Sequence, residues 1–262
     1  MPSPTPLVRN LLFVWGGLWV ISFLTAMTPP HEGISIWLSL DPTLLQGNLA
    51  ALPGVVTYVL VHDPGSILHA GINMYLLYAF GGEVEILYRG RRFLGFLLAA
   101  TLAGSVFHLL LAALSLDFAS RVVGGSGIVM AILAVNAAIY PGRILNLIIL
   151  RCRMITFFLF FVGLDLLNFL ATWAGGNIQV ATDVHLAGAA AGWIWAGGFQ
   201  RFDDPISRIS SRWRKKHAAT RRERRRAGEA ELDRILAKIS RGGLPSLSRG
   251  ERKFLKKRSR DR

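Results

Sequence analysis

Six long runs of apolar residues alternate with short polar stretches along the first 200 positions. They fall at about 7–27, 67–87, 93–116, 124–142, 154–174 and 183–200. Each approaches the roughly 20 mostly apolar residues that a helix needs to cross a bilayer. The pattern predicts six transmembrane helices. The fourth and sixth are short and rich in Gly and Ala. The first run begins too close to a lone Arg9 for a standard signal peptide and lacks a persuasive small-residue cleavage site, so it reads as a retained span. Between spans one and two lies a segment at about 28–66 with the apolar cluster Ile34, Ile36, Trp37, Leu38 and Leu40, too short to span. Two readings stand for it: an interfacial lie with Trp37 at the headgroups, or a packed outer loop.

Composition sharpens this picture. Of the 262 residues, 52% are hydrophobic and only 18% charged, against about a quarter charged in an ordinary soluble domain. That excludes a disordered chain and argues against a soluble enzyme. The net charge of +14 is not spread evenly. Residues 201–262 hold 22 Lys and Arg against 8 Asp and Glu, whereas residues 1–200 hold 8 of each. The chain therefore divides into a neutral apolar body, 1–200, and a basic tail, 201–262. The single cysteine, Cys152, rules out an internal disulfide framework.

The positive residues orient the body. Arg9 precedes span one, Arg89, Arg91 and Arg92 follow span two, Arg143, Arg151 and Arg153 follow span four, and the tail follows span six. These segments share one side, and the opposite loops carry only Arg121. Both termini are expected in the cytoplasm, in a bacterial plasma (inner) membrane.

Polar groups inside spans are costly and need a reason. His69 and Asn73 lie near the start of span two, Ser126 in Gly124-Gly125-Ser126-Gly127 near the start of span four, and His185 near the start of span six. The even spans all run inward, so the four residues are expected at one depth, in the outer part of the bilayer. Gly188 and Gly192 form a small-residue face that admits a close neighbour, and His185 lies three residues before Gly188. If span four is that neighbour, Ser126 and His185 meet. Glycines beside Ser126 permit a non-helical turn that brings backbone N–H groups near a reacting carbonyl. Each feature has a plain alternative: a packing turn at Ser126, a hydrogen-bonded structural His185, and a His69–Asn73 pair that joins helices. Their coincidence at one depth favours a serine–histidine site, in which imidazole takes and returns the hydroxyl proton.

No acidic third member is evident. Asp183, two residues from His185, points to another side of the helix. Asp165, in a span that begins on the inner side, is expected well below Ser126, where it and Asn168 join helices. His62 and Asp63 are expected to fix a loop. His108 and Asn136 have no assignable partner. Glu83 and Glu85 are expected to pair with Arg89, Arg91 and Arg92 at the interface. His31-Glu32 has no second His at metalloprotease spacing, so no metal or other cofactor is expected.

Over residues 55–200 the chain resembles the rhomboid family of intramembrane serine proteases. His69-xxx-Asn73, Gly81-Gly82-Glu83-Val84-Glu85, Gly124-Gly125-Ser126-Gly127 and His185-xx-Gly188-xxx-Gly192 are similar to that family's motifs in order and spacing. The resemblance implies an all-α, polytopic, six-transmembrane bundle. It implies Ser126 as nucleophile and His185 as general base, a catalytic dyad without an acid. His69, Asn73 and the Ser126 backbone N–H would form the oxyanion hole, and the substrates would be membrane-anchored proteins. Three positions depart from the family pattern. Leu38 follows Trp37 where Arg is frequent, Met130 stands where an aromatic is frequent, and Val184 stands where a small residue is usual. A rhomboid-like binding protein without catalysis, and less readily a transporter, remain as alternatives.

In the tail, the basic run at 212–226 is expected on anionic lipid headgroups and not on nucleic acid. Leu232, Ile235, Leu236 and Ile239 mark one helical face. Gly242-Gly243 and Pro245 break it, and Ser248-Arg249-Gly250-Glu251 reads as a capping box before a second short helix with Phe254 and Leu255. A small helical hairpin and a disordered basic tail are both compatible with this composition.

Overall fold

The computed structural model describes residues 3–27, 33–114, 118–146, 151–176, 180–201, 234–240, 243, 247–251 and 255. The chain packs as two units, 1–201 and 202–262.

Among the described residues of the first unit, six long helices occupy the six apolar runs: α1 (Pro6–Ala26), α5 (Ile67–Tyr88), α6 (Arg91–Leu114), α7 (Ser126–Ile139), α8 (Met154–Trp173) and α9 (Thr182–Arg201). The segment after α1 folds into short pieces, α2 (Ser35–Leu38), α3 (Pro42–Gly47) and α4 (Gly54–Thr57), with 3-10 turns at Leu49–Ala51 and Tyr58–Leu60. A strand pair not predicted from the sequence, β1 (Ile144–Asn146) and β2 (Arg151–Arg153), runs antiparallel between α7 and α8. By length and composition α1, α6 and α8 can each cross a membrane. Large apolar side chains such as Phe13, Leu110, Leu167 and Ile194 face outward. Apolar residues on the outer as well as the inner faces are the mark of helices solvated by lipid.

At the centre is α7, buried from Ser126 through Ala137 and packed by α5, α6, α8 and α9. Only 14 residues long, it extends about 21 Å, shorter than a hydrocarbon core of about 30 Å. Its closest neighbour is α9, and the glycine face explains why. A Cβ on Gly188 would lie 2.1 Å from the Gly127 carbonyl oxygen, and one on Gly192 would lie 2.2 Å from that of Ala131. The two backbones touch where side chains would hold them apart.

Glu85 departs from expectation. It is buried, and its carboxylate accepts the Thr5 hydroxyl and the N–H groups of Leu7 (3.1 Å) and Val8 (2.9 Å). The first turn of α1 has no acid of its own. Glu85 supplies from α5 the negative charge that a helix N-terminus attracts. Glu83 does form an ion pair, but with Arg143 and not with the arginines after α5.

In the second unit, residues 234–240 are helical. The capping box forms as the sequence predicts: Glu251 N–H donates to Ser248 Oγ (3.2 Å) and Ser248 N–H to Glu251 Oε2 (2.8 Å). Glu251 also accepts from Arg234 (3.0 Å) and Lys238 (3.0 Å), which ties the helix to the box. The Ser248 N–H, then Lys238, hold its carboxyl down at about 2. The basic run at 212–226, Leu232, Gly242, Pro245 and Phe254 lie outside the described residues.

Candidate active site

Ser126 opens α7, so its N–H has no acceptor four residues back in the helix. The turn before it is pinned at three points. Val122 and Leu40 exchange backbone hydrogen bonds (2.8 and 3.0 Å), and Gly124 N–H donates to the Tyr58 carbonyl (2.9 Å). Gly125 N–H donates to His62 Nε2 (3.3 Å). Gly124 sits at φ +125°, where other residues are strained. A Cβ on Gly125 would overlap the Trp15 ring at 2.0 Å. His62 therefore does fix a loop, the one that presents Ser126. Buried, and faced by His69, its imidazole is pushed down to about 4.

His185 lies one turn into α9. Its Nε2 is 2.7 Å from Ser126 Oγ. The two side chains meet, as expected if span four is the neighbour of the glycine face. Its Nδ1 is 3.0 Å from Asp165 Oδ1. This corrects the expectation that Asp165 lies well below the serine. Because α7 is short, its N-terminal Ser126 is sunk toward the level of mid-α8, where Asp165 sits. The shortness and Gly/Ala content of the fourth run were the signal for this.

Asp183 turns away from His185, as expected, and bonds His108 Nδ1 at 2.6 Å. His108 Nε2 donates to the Ser120 carbonyl (2.9 Å). The pair links the start of α9 to α6 and supplies the partner that sequence reasoning did not assign to His108. Val184, between these histidine-linked positions, is buried against Gly104 and Gly127: a Cβ on either would lie within 3.0 Å of its Cγ1. Two glycines make room for a side chain larger than the family pattern. Asn136 donates within α7 to the Ile132 carbonyl (2.9 Å) and across to that of Phe80 (3.4 Å).

Ser126, His185, Asp165, His69, Asn73 and Met130 all line one cavity of about 980 Å³. The Asn73 amide donates to the His69 carbonyl (3.0 Å). An amide NH2 carries two donors, so one remains for a ligand. Asn168 lines the same cavity. A serine hydroxyl on a histidine nitrogen, with further donors across the space, is suited to acyl transfer.

A family model, the Rhomboid domain, matches residues 50–202. The chain belongs to the rhomboid family. With its apolar helices, this rhomboid is an integral membrane protein. A second model, DUF6576, a family of unknown function, matches residues 220–261 of the tail. No curated protein matches the chain.

Proposed function

We propose that this rhomboid is an intramembrane serine protease that cuts membrane-anchored proteins in or near their transmembrane segments. The observation that carries the reading is the 2.7 Å approach of Ser126 Oγ to His185 Nε2 inside a cavity of about 980 Å³. Ser126 Oγ attacks the scissile carbonyl carbon while His185 Nε2 takes the hydroxyl proton. Negative charge gathers on the carbonyl oxygen, toward which the Ser126 N–H and the side chains of His69 and Asn73 can donate. The C–N bond then breaks and His185 protonates the leaving amine. Water, deprotonated by His185, hydrolyses the acyl-enzyme and regenerates Ser126.

In this reading all six long helices cross the membrane, both termini lie in the cytoplasm, and the tail rests on anionic headgroups. Support comes from the six apolar runs and from arginines concentrated on alternate connections, with Arg121 alone on the opposite loops. The test has two arms. Shed ectodomains are compared between cells that carry the native protein and cells that carry Ser126→Ala. The purified protein is treated with a fluorophosphonate probe. The expected result is ectodomains released only by the native protein, with the probe on Ser126. Release that survives Ser126→Ala, or a native protein the probe does not label, overturns the reading. The second outcome favours a rhomboid-like binding protein.

A further inference from the structure

We propose that Asp165 is a positioning residue for His185, so that the site works as a Ser126–His185–Asp165 triad instead of a dyad. The inference rests on the protease reading above and goes beyond it. The family resemblance implies a histidine without an acid, whereas here the Asp165 carboxylate lies 3.0 Å from Nδ1. Among the described residues no Lys or Arg pairs with Asp165, and the side chain that meets it is His185.

The molecule contains its own comparison. His108 and Asp183 form a second buried His–Asp pair, but there both ring nitrogens are consumed, one by the carboxylate and one by the Ser120 carbonyl. Those side chains are 2% and 3% exposed, as befits a purely structural link. At His185 the second nitrogen faces Ser126 Oγ, and the pair opens to the cavity at 15% and 10%. A carboxylate accepts but does not donate, so Asp165 accepts a hydrogen bond from Nδ1–H, which keeps the ring proton on Nδ1 and leaves the Nε2 lone pair to the hydroxyl. When the Ser126 proton moves to Nε2, the imidazolium keeps its Nδ1–H on Asp165. The carboxylate stays ionised, and no proton passes to it. Asp165 also fixes the ring plane from α8, while Ser126 and His185 come from α7 and α9.

The experiment uses the purified full chain, native and Asp165→Asn. The fluorophosphonate labelling rate at Ser126 is measured beside the thermal midpoint, with 15N-histidine NMR of His185. An asparagine can present its amide N–H to Nδ1, which moves the ring proton to Nε2 and removes the base. The expected result is an Nδ1–H ring in the native protein and an Nε2–H ring in the variant. Labelling should slow by about 100-fold to 10,000-fold, with the midpoint held within a few degrees. A structural role would shift the midpoint and leave the tautomer and the labelling rate of folded protein unchanged. Variant labelling within about threefold of native, or an Nε2–H ring in the native protein, overturns the proposal. If Asp165→Asn does not fold, the native tautomer alone decides it. A native protein that the probe fails to label removes the protease reading. The histidine signal in that same sample still tells whether Asp165 holds His185.

Discussion

At residue scale, Asn73 illustrates how one side chain can be both held and available. It is buried, and one amide hydrogen is fixed on the His69 carbonyl. Asn73→Ala is expected to lower the rate of substrate cleavage by about 100-fold to 1000-fold, with an unchanged thermal midpoint. A smaller loss is expected where His69 still donates, so the double variant with His69→Ala tests the pair. A fully active double variant removes both from the oxyanion hole. His62 leads to a pH prediction. Its folded value of about 4 lies below the ordinary 6.5 because burial, then His69, disfavours the charged ring. A group neutral in the fold and charged in the unfolded chain contributes its full stability above pH 6.5. That contribution is lost as the pH falls toward 4, at a cost of about 3 kcal/mol. Thermal midpoints measured in detergent from pH 7 to pH 4 should fall more steeply for native protein than for His62→Gln. Equal slopes would show that His62 does not carry the effect.

At the scale of elements, the contact between α7 and α9 sets the distance from Ser126 to His185. The Gly188 position leaves 2.1 Å between a built Cβ and the Gly127 carbonyl oxygen. Gly188→Ala must therefore push the helices apart by about 1 Å. Overpacking of this kind costs about 1–3 kcal/mol, and it stretches the 2.7 Å hydrogen bond at the site. The expectation is a lower thermal midpoint together with slower probe labelling of the protein that remains folded. Gly197, with open space around it, should accept Ala with neither effect. Loss at Gly197 equal to that at Gly188 would show that the glycines act through helix propensity and not through contact. The helices themselves were legible in the sequence, because a long apolar run is local. The close-packing face of α9 was legible as well, because a stripe of small residues at a spacing of four marks one helix face, but that α7 is its partner only the fold decided. What the stripe does not contain is axial offset. Counting from span ends put Asp165 below Ser126, and only the sunken start of α7 brings them to one level.

For the whole molecule the testable quantity is orientation. With Cys152→Ser as background, Ser66→Cys should react from outside with an impermeant thiol reagent, and Gly90→Cys should be protected in intact cells. Labelling of Gly90→Cys from outside would reverse the assigned topology. The apolar body, the basic tail, the helix positions, the capping box at Ser248 and the candidate residues Ser126, His185, His69 and Asn73 were all determined by the sequence alone. Each is a local pattern: a run length, a charge block, a cap spacing or a motif. Tertiary structure alone decided the partners. Glu85 caps α1 across 77 to 80 residues of chain, His108 finds Asp183 across 75, and His185 finds Asp165 across 20. A buried charge takes whichever opposite group the packing brings to its level. That level depends on how far each helix slides along its neighbours, which no single segment encodes.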